Sequence, residues 1–224
     1  MGKGKLEIAC FNLNSALIAH QYFADRVELC KNIMEGGLTP DYTTASSART
    51  KLSIDLFVMI RPRGGNFVYS NEEFEQMKKD IKHFKKKGMD GFVFGILNKD
   101  NTINIHQNSE LVKLAAPKAC TFHRAFDEVK NPLSALEGVI ACGFKTILTS
   151  GQKPSAIEGI DLITQLITKA NERIEIMPGG GVRSSNILTL KQKVNSSFYH
   201  SSGITDNTQI ASISEIETLR KLLK

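Results

Sequence analysis

Short apolar runs alternate with amphipathic segments along the whole chain. The apolar runs begin near Leu6, Arg26, Ile54, Gly91, Lys118, Thr146, Ile174 and Ser196. Short apolar runs bounded by glycine, proline or polar residues are typical of buried strands, and the segments between them show the spacing of amphipathic helices. The pattern therefore predicts a strand followed by a helix, repeated eight times.

This alternation indicates a parallel sheet, because a helical crossover joins each strand to the next. Eight such units in 224 residues fit a closed (β/α)8 TIM barrel better than an open doubly wound sheet. A Gly-x-Gly-x-x-Gly sequence after the first run, the best sign of the open sheet, is absent. We expect an α/β protein in which residues 1–224 form a single TIM-barrel domain.

The formal net charge of +6 is concentrated in one predicted helix. Residues 70–73 form a capping box that marks its start, and Phe74, Met77, Ile81 and Phe84 form its apolar stripe. Lysines at positions 78, 79, 82, 85 and 86 lie on the opposite face. This is the pattern of a solvated surface helix, and no basic groove with interleaved aromatic residues is visible, so the sequence argues against nucleic acid as a partner.

No apolar stretch approaches the length of a membrane span, and the basic residues 1–5 lead into a short strand rather than an apolar signal region. Cys10, Cys30, Cys120 and Cys142 lie in separate segments without a Cys-x-x-Cys pair. Free thiols of this kind are typical of a reducing compartment. We expect a cytoplasmic protein without a membrane partner.

The barrel interpretation predicts where chemistry should lie. Functional groups of TIM barrels collect at the carboxyl ends of the strands and in the loops that follow them. Polar or special residues occur at these ends: Cys10, Asn12, Glu28, Cys30, Arg61, Arg63, His123, Arg124, Asp127, Thr149, Ser150, Gly151, Pro178, Gly179, Gly180, Gly181, His200, Ser201, Ser202 and Gly203. Because barrel cores are normally aliphatic, this accumulation predicts a site at that rim.

Seven blocks spread along the chain combine glycine, proline and polar residues at or near the predicted strand ends: residues 26–30, 35–40, 60–67, 121–127, 148–151, 177–182 and 200–202. Together these blocks resemble the copper homeostasis CutC family. The resemblance covers nearly the whole chain and implies a (β/α)8 barrel, copper handling, and Cys10 and Cys30 as candidate metal ligands. Two features depart from the family pattern. Asn66 stands where the family usually has Asp, which removes one charge from the rim, and the segment after Ser202 is short, which leaves the mouth more open.

Binding of monovalent copper is the first functional hypothesis. Thiolates are soft ligands that select Cu(I), and neighbouring strands lie roughly 4.8 Å apart, so Cys10 and Cys30 could share one ion. Strand alternation opposes this arrangement. If Glu7 and Glu28 face the interior, Cys30 faces inward but Cys10 faces outward, unless the first strand bulges or ends before it. Simple packing of each thiol in the core is an equal alternative.

An enzyme acting on a small phosphorylated or carboxylated metabolite is the second hypothesis. The turns after strands seven and eight resemble places where barrels hold phosphate through backbone N–H groups. The candidate ligand-binding residues are Arg63, Gly179, Gly180, Gly181, Ser201 and Ser202. The candidate catalytic residues are Glu28 or Glu7 as base, His123 as acid, Arg61 as a charge, and Arg124 or Asp127 as orienting groups. Such a set supports isomerisation, aldol chemistry or hydrolysis.

Arg61 has two interpretations that the sequence leaves open. Its guanidinium either pairs with a barrel carboxylate, Glu7 or Glu28, and braces the mouth, or it presents a free donor face to an anion. The outer helices could also provide a face for a homo-oligomer. The expected partners are thus a copper ion or a small anionic metabolite.

Overall fold

The computed structural model describes residues 4–224. Its strands are β1 (Lys5–Cys10), β2 (Arg26–Leu29), β3 (Asp55–Met59), β4 (Gly91–Phe94), β5 (Ala119–Phe122), β6 (Thr146–Thr149), β7 (Glu175–Pro178) and β8 (Phe198–Ser201). Its helices are α1 (Leu13–Gln21), α2 (Tyr42–Lys51), α3 (Asn71–Lys86), α4 (Ile105–Ala115), α5 (Pro132–Cys142), α6 (Ile160–Ala170), α7 (Ile187–Lys193) and α8 (Ile213–Leu223). Short 3-10 helices occupy Ile33–Glu35 and Arg124–Glu128. The predicted α/β TIM barrel is confirmed.

The strands form one parallel sheet in the order β7-β6-β5-β4-β3-β2-β1-β8. Within residues 4–224, β7 and β8 close the barrel without a backbone ladder between them. The carboxylate of Glu175 takes its place, because it accepts hydrogen bonds from the N–H groups of Ser197, at 2.9 Å, and Phe198, at 3.3 Å. The hydroxyl of Ser196 donates to the same carboxylate at 2.9 Å. A side chain therefore bonds the start of β7 to the start of β8.

Strand alternation divides the buried residues between two faces of the barrel wall. Leu6, Ile8 and Cys10 of β1 belong to the large core between the strands and the surrounding helices. A smaller apolar cluster inside the barrel contains Cys30, Phe57, Met59 and Val93. The interior also holds buried charged groups, which is unusual for a barrel core and directs attention to its centre.

Helix α3 has the predicted amphipathic form. Ser70 and Glu73 exchange both bonds of the capping box, and Phe74, Met77 and Ile81 are buried against the core. Lys78 pairs with carboxylates on α3 and α4. None of the helices described between residues 4 and 224 combines the length and the apolar character that crossing a bilayer requires.

Candidate functional site in the barrel interior

An ion pair forms the base of the barrel interior. Glu7 is completely buried and accepts a hydrogen bond from Nε of Arg26, which neighbours it in the register of β1 and β2. The guanidinium of Arg26 lies between two aromatic rings, with its Cζ 4.3 Å from the ring centroids of both Phe57 and Phe198. Cation–π contacts with both rings help to hold this cation in place.

His200 extends the ion pair towards the mouth. Its Nδ1 lies 2.7 Å from Oε1 of Glu7, because the β1–β8 register sets these two residues side by side. Its Nε2 lies 3.8 Å from Oε2 of Glu28. Burial lowers the pKa of His200, but the carboxylates of Glu28 and Glu7 outweigh burial and raise it above its usual value. Protonation of the imidazole is therefore favoured at this position.

The two interior carboxyl groups have pKa values on opposite sides of the ordinary one. Burial alone would raise the pKa of Glu7, but the charge of Arg26 and the hydrogen bond from His200 lower it to about 2. Burial raises the pKa of Glu28 to about 7, with His200 opposing and Glu7 adding to the rise. Glu7 is thus a permanent anion, whereas Glu28 exchanges its proton near neutral pH.

Glu28 is 3% exposed, and only one of its two carboxylate oxygens has a hydrogen-bond partner within residues 4–224. Its Oε2 lies 3.6 Å from the Sγ of Cys30, and within residues 4–224 its Oε1 has no hydrogen-bond partner. A buried polar atom without a partner carries a free-energy cost, which a ligand at this position would remove. The unpaired oxygen therefore marks the place where the interior can accept a proton, a metal ion or a polar substrate group.

Three buried residues could ligate a metal ion together. Glu7, Glu28 and His200 each offer a ligand atom, and these atoms lie within 4.8 Å of one another. Neither Cys10 nor Cys30 belongs to this group of three. Cys30 adjoins it through its contact with Glu28.

The two candidate copper cysteines lie on opposite faces of the barrel wall. Cys10 is in register with Leu29 and belongs to the outer core, whereas Cys30 belongs to the inner cluster. The strand does not bulge before Cys10, so the alternation argument holds and the two thiols do not share an interior site. Burial and then the charge of Glu28 raise the pKa of both thiols.

Both Nη groups of Arg61 donate to backbone carbonyls rather than to the predicted carboxylates, Glu7 and Glu28, and within residues 4–224 its buried Nε has no hydrogen-bond partner. Its Nη1 donates to the carbonyls of Glu35 at 2.6 Å and Gly37 at 3.2 Å, and its Nη2 donates to that of Gly65 at 2.9 Å. Its Cζ also lies 4.8 Å from the ring centroid of Phe67. Arg61 therefore ties the loop after β2 to the loop after β3 and acts as a brace.

His123 is neutral in this structure. Burial and, to a smaller extent, the neighbouring charge of Arg61 together lower its pKa to about 3. Its Nδ1 accepts a hydrogen bond from the N–H of Ala125 at 3.3 Å, which leaves the proton on Nε2. An imidazolium acid is therefore not available at His123 at neutral pH, and His200 is the histidine that pairs with carboxylates.

Arg63 is bound within its own loop. Its guanidinium donates to Glu73 at 2.6 Å and to the carbonyls of Asn66 and Val68 at 2.9 and 2.7 Å. Asn66, the position that departs from the family pattern, accepts from Val68 N–H through its side chain at 3.3 Å. Because these bonds occupy the donors of the Arg63 guanidinium, they oppose its predicted role in ligand binding.

Asp127 organises the end of β6. Its carboxylate accepts from the side chain of Thr149, from the N–H and hydroxyl of Ser150, from the N–H of Gln152 and from Nε of Arg124. Because the carboxylate of Asp127 accepts all these hydrogen bonds, it holds the surrounding residues in position. Arg124 is held by this carboxylate at 2.8 Å and by the hydroxyl of Ser150, also at 2.8 Å.

The turns after β7 and β8 lie side by side. A Cβ on Gly179 would be 2.4 Å from Leu148 and 3.1 Å from the Cβ of His200, so only glycine fits there. Gly180 and Gly181 have φ values of +105° and +68°, which glycine adopts readily. Ser201 is buried and donates to the carbonyl of Val182 at 2.7 Å, which joins the two turns. The structure thus brings these predicted residues together.

Sequence reasoning placed Ser150 and His200 at the rim without giving them a role, and it missed Arg26 and Arg183. Alternation along β8 would have placed His200 on the same face as the inward Phe198, and the same rule on β2 would have placed Arg26 beside Glu28. No local signal marks Arg183, whose Nη2 donates to Ser202 and to the carbonyl of Ile204.

A family model described as the CutC family matches residues 4–205. This chain belongs to the CutC family. A mouse protein named copper homeostasis protein cutC homolog is 43% identical over 197 residues, which cover 88% of this chain and 72% of the relative. A CutC family protein from Chromobacterium violaceum is 46% identical over 185 residues, which cover 83% of this chain and 75% of the relative.

The crystal structure of CutC from Streptococcus agalactiae is similar over almost its whole length. It has a TM-score of 0.84 at 35% identity and covers 90% of this chain and 99% of that one. The resemblance to CutC inferred from the sequence blocks is therefore confirmed.

Proposed function

We propose that this CutC family member handles copper by binding Cu(I) inside the barrel mouth, with the thiolate of Cys30 as the principal ligand. The proposal is supported by relatives that are named copper homeostasis proteins. The observation that carries it is the position of Cys30, whose thiol faces the interior 3.6 Å from Glu28. The two-cysteine site becomes a one-cysteine site in this proposal.

The surroundings of Cys30 favour exchange of its proton for a soft cation. Burial and the charge of Glu28 raise the pKa of the thiol, so without metal the sulfur retains its proton. A thiolate formed here requires a compensating positive charge, and Cu(I) is the ion that thiolates select. Glu28 lies near enough to supply a further ligand, because its Oε2 is 3.6 Å from the Sγ of Cys30, and His200 Nε2 lies 3.8 Å from the same oxygen.

Competition titration tests this proposal. Cu(I) is partitioned between the protein and a chromophoric Cu(I) chelator under anaerobic conditions. Loss of the interior thiolate in Cys30→Ser should weaken binding by at least about a hundredfold, since one lost bond to a charged ligand of a few kcal/mol corresponds to this factor.

Cys10→Ser is the matched control, because its thiol is equally buried but faces the helices. Its Cu(I) affinity should equal that of the parent. Equal losses in the two variants, or an unchanged affinity in Cys30→Ser, would refute an interior one-cysteine site.

A second function is favoured by the pKa values of the interior carboxyl groups. Glu28 titrates near pH 7 beside His200, while Glu7 is a fixed anion that orients the imidazole. This is a general acid–base pair suited to proton transfer on a small phosphorylated or carboxylated metabolite. Arg61 and His123, predicted as catalytic, would shape the mouth rather than transfer protons.

Solvent exchange tests the acid–base function. The protein is incubated in D2O with dihydroxyacetone phosphate as a probe carbonyl compound, and loss of its carbon-bound protons is followed by 1H NMR. The parent should accelerate exchange and Glu28→Gln should not, since the amide accepts no proton. Acceleration that is the same in both proteins would exclude Glu28 as the base.

The cellular setting is part of the same proposal. We place copper handling in the cytoplasm, which is consistent with four cysteines that are all free thiols. A homo-oligomer formed through the outer helices remains a proposal for which size measurement in solution is the test.

A further inference from the structure

The turns that follow β7 and β8 present backbone donors that the fold leaves unused. Within residues 4–224, the N–H groups of Gly180, Gly181 and Ser202 donate to no protein acceptor. Their neighbours are engaged, since the carbonyl of Gly180 accepts from Ala156 at 2.9 Å and the N–H of Gly203 donates to Ser201 at 3.1 Å. Successive free N–H groups in such turns form anion-binding concavities.

A positively charged group lies directly against this turn. A Cβ on Gly180 would be 3.4 Å from Cζ and 3.5 Å from Nη1 of Arg124, so the guanidinium packs on the Gly180 backbone. Asp127 binds Nε and Ser150 binds Nη2, which leaves Nη1 without a protein acceptor in the described part of the chain. The side chain is 45% exposed, so the guanidinium is held in a fixed orientation and is accessible from solvent.

We propose that Arg124 and the N–H groups of Gly180, Gly181 and Ser202 form a binding site for the phosphate group of a small phosphorylated metabolite. Fixed guanidinium donors and unused backbone N–H groups recognise oxyanions by charge and by hydrogen bonding. Several donors suit the three terminal oxygens of a phosphate monoester better than the two of a carboxylate. Arg124 replaces Arg61 and Arg63 as the cation of the site, because within residues 4–224 its Nη1 has no protein acceptor, whereas both Nη groups of Arg61 and of Arg63 donate within the protein.

The location of this site also gives the ligand an orientation. Gly179 precedes the phosphate turn and lies against His200, since a Cβ at Gly179 would be 3.1 Å from that of His200. A phosphate bound at Gly180 therefore directs the rest of its molecule towards the barrel axis, where His200 and Glu28 face each other. This deepens the acid–base function proposed above by defining the charged group of its substrate, and it does not depend on copper binding.

Calorimetric titration with inorganic phosphate, performed on the full chain, tests the site. Replacing the guanidinium in Arg124→Gln should weaken phosphate binding by about tenfold or more, the factor expected for loss of one hydrogen bond to a charged group. Acetate should bind the parent at least about tenfold more weakly than phosphate.

Arg63→Gln is the matched control, since its guanidinium lies on the same rim but is bound to Glu73. Its phosphate affinity should be unchanged. Equal weakening in Arg63→Gln and Arg124→Gln, no preference for phosphate over acetate, or no phosphate binding by the parent would each overturn the proposal.

The Cu(I) titration and the D2O exchange assay separate this site from the functions proposed above. Arg124→Gln should retain the Cu(I) affinity of the parent, because Arg124 does not contact Cys30. Phosphate binding without proton exchange would support the anion site while rejecting the acid–base function, and exchange without phosphate binding would do the reverse.

Discussion

Glu7 and Glu28 are identical side chains whose positions in the barrel give them different pKa values. They project into the same interior from neighbouring strands, and both are almost completely buried. Glu7 has a guanidinium and an imidazole as direct partners, whereas Glu28 has a distant imidazole and a thiol. The partners of Glu7 favour its charged form and lower its pKa, whereas burial without such close partners raises the pKa of Glu28.

The raised pKa of Glu28 predicts a specific pH dependence of stability. Its pKa is about 7 in the folded protein and 4.5 in the reference state, so the folded protein binds more protons between these values. The free energy of unfolding contributed by Glu28 is therefore fully present below pH 4.5 and is lost as the pH rises to 7. Glu28→Gln removes this loss, so its stability relative to the parent should rise by on the order of 3 kcal/mol between pH 4.5 and 8.

Urea unfolding of parent and Glu28→Gln at several pH values measures this difference. Glu72→Gln is the control, because Glu72 is exposed on α3 and its pKa is lowered by its hydrogen bond with Ser70, which confines its effect to pH values below 4.5. A flat difference for Glu28→Gln across the same range would show that Glu28 is ionised in the folded protein at all these pH values.

At the scale of elements, the barrel depends on side chains where backbone pairing ends. Arg61 joins the loops after β2 and β3 through three carbonyl bonds, and Glu175 joins the starts of β7 and β8. Both residues satisfy backbone groups that strands or helices would otherwise satisfy. The polar residues at strand ends thus have structural roles as well as candidate chemical ones.

Glu175 provides the prediction at this scale. Glu175→Ala leaves the N–H groups of Ser197 and Phe198 without this acceptor, and each lost bond to a charged acceptor contributes about 1.5–3 kcal/mol. The free energy of unfolding should fall by about 2–4 kcal/mol in urea titration, a range that allows for replacement of some bonds by water.

Hydrogen exchange locates that effect. Amides of β8 should exchange faster in Glu175→Ala, whereas those of β3 and β4, on the far side of the sheet order, should keep their protection relative to global stability. Uniformly faster amide exchange over the barrel would mean that the Glu175 contacts between β7 and β8 have no local role.

At the scale of the whole molecule, the sequence predicted the architecture well and the site less well. Each strand begins within two residues of its predicted start, because a buried parallel strand must be a short apolar run whatever its neighbours are. The acceptors of Arg61 could not be predicted, since they are carbonyls of two irregular loops. The pairing of His200 with Glu7 depends on a register between residues 193 positions apart, which no local pattern encodes.

The Arg26 ion pair has a consequence for kinetics. Its guanidinium contacts Phe57 and Phe198 below Glu28, so within residues 4–224 this side chain narrows the amino-terminal end of the barrel interior. We therefore expect a ligand of Glu28 or Cys30 to arrive and depart past the loops at the opposite end, including those joined by Arg61. Residence time in the interior is then governed by how often these loops separate, and dissociation rates can change with loop stability while the ligating atoms remain the same.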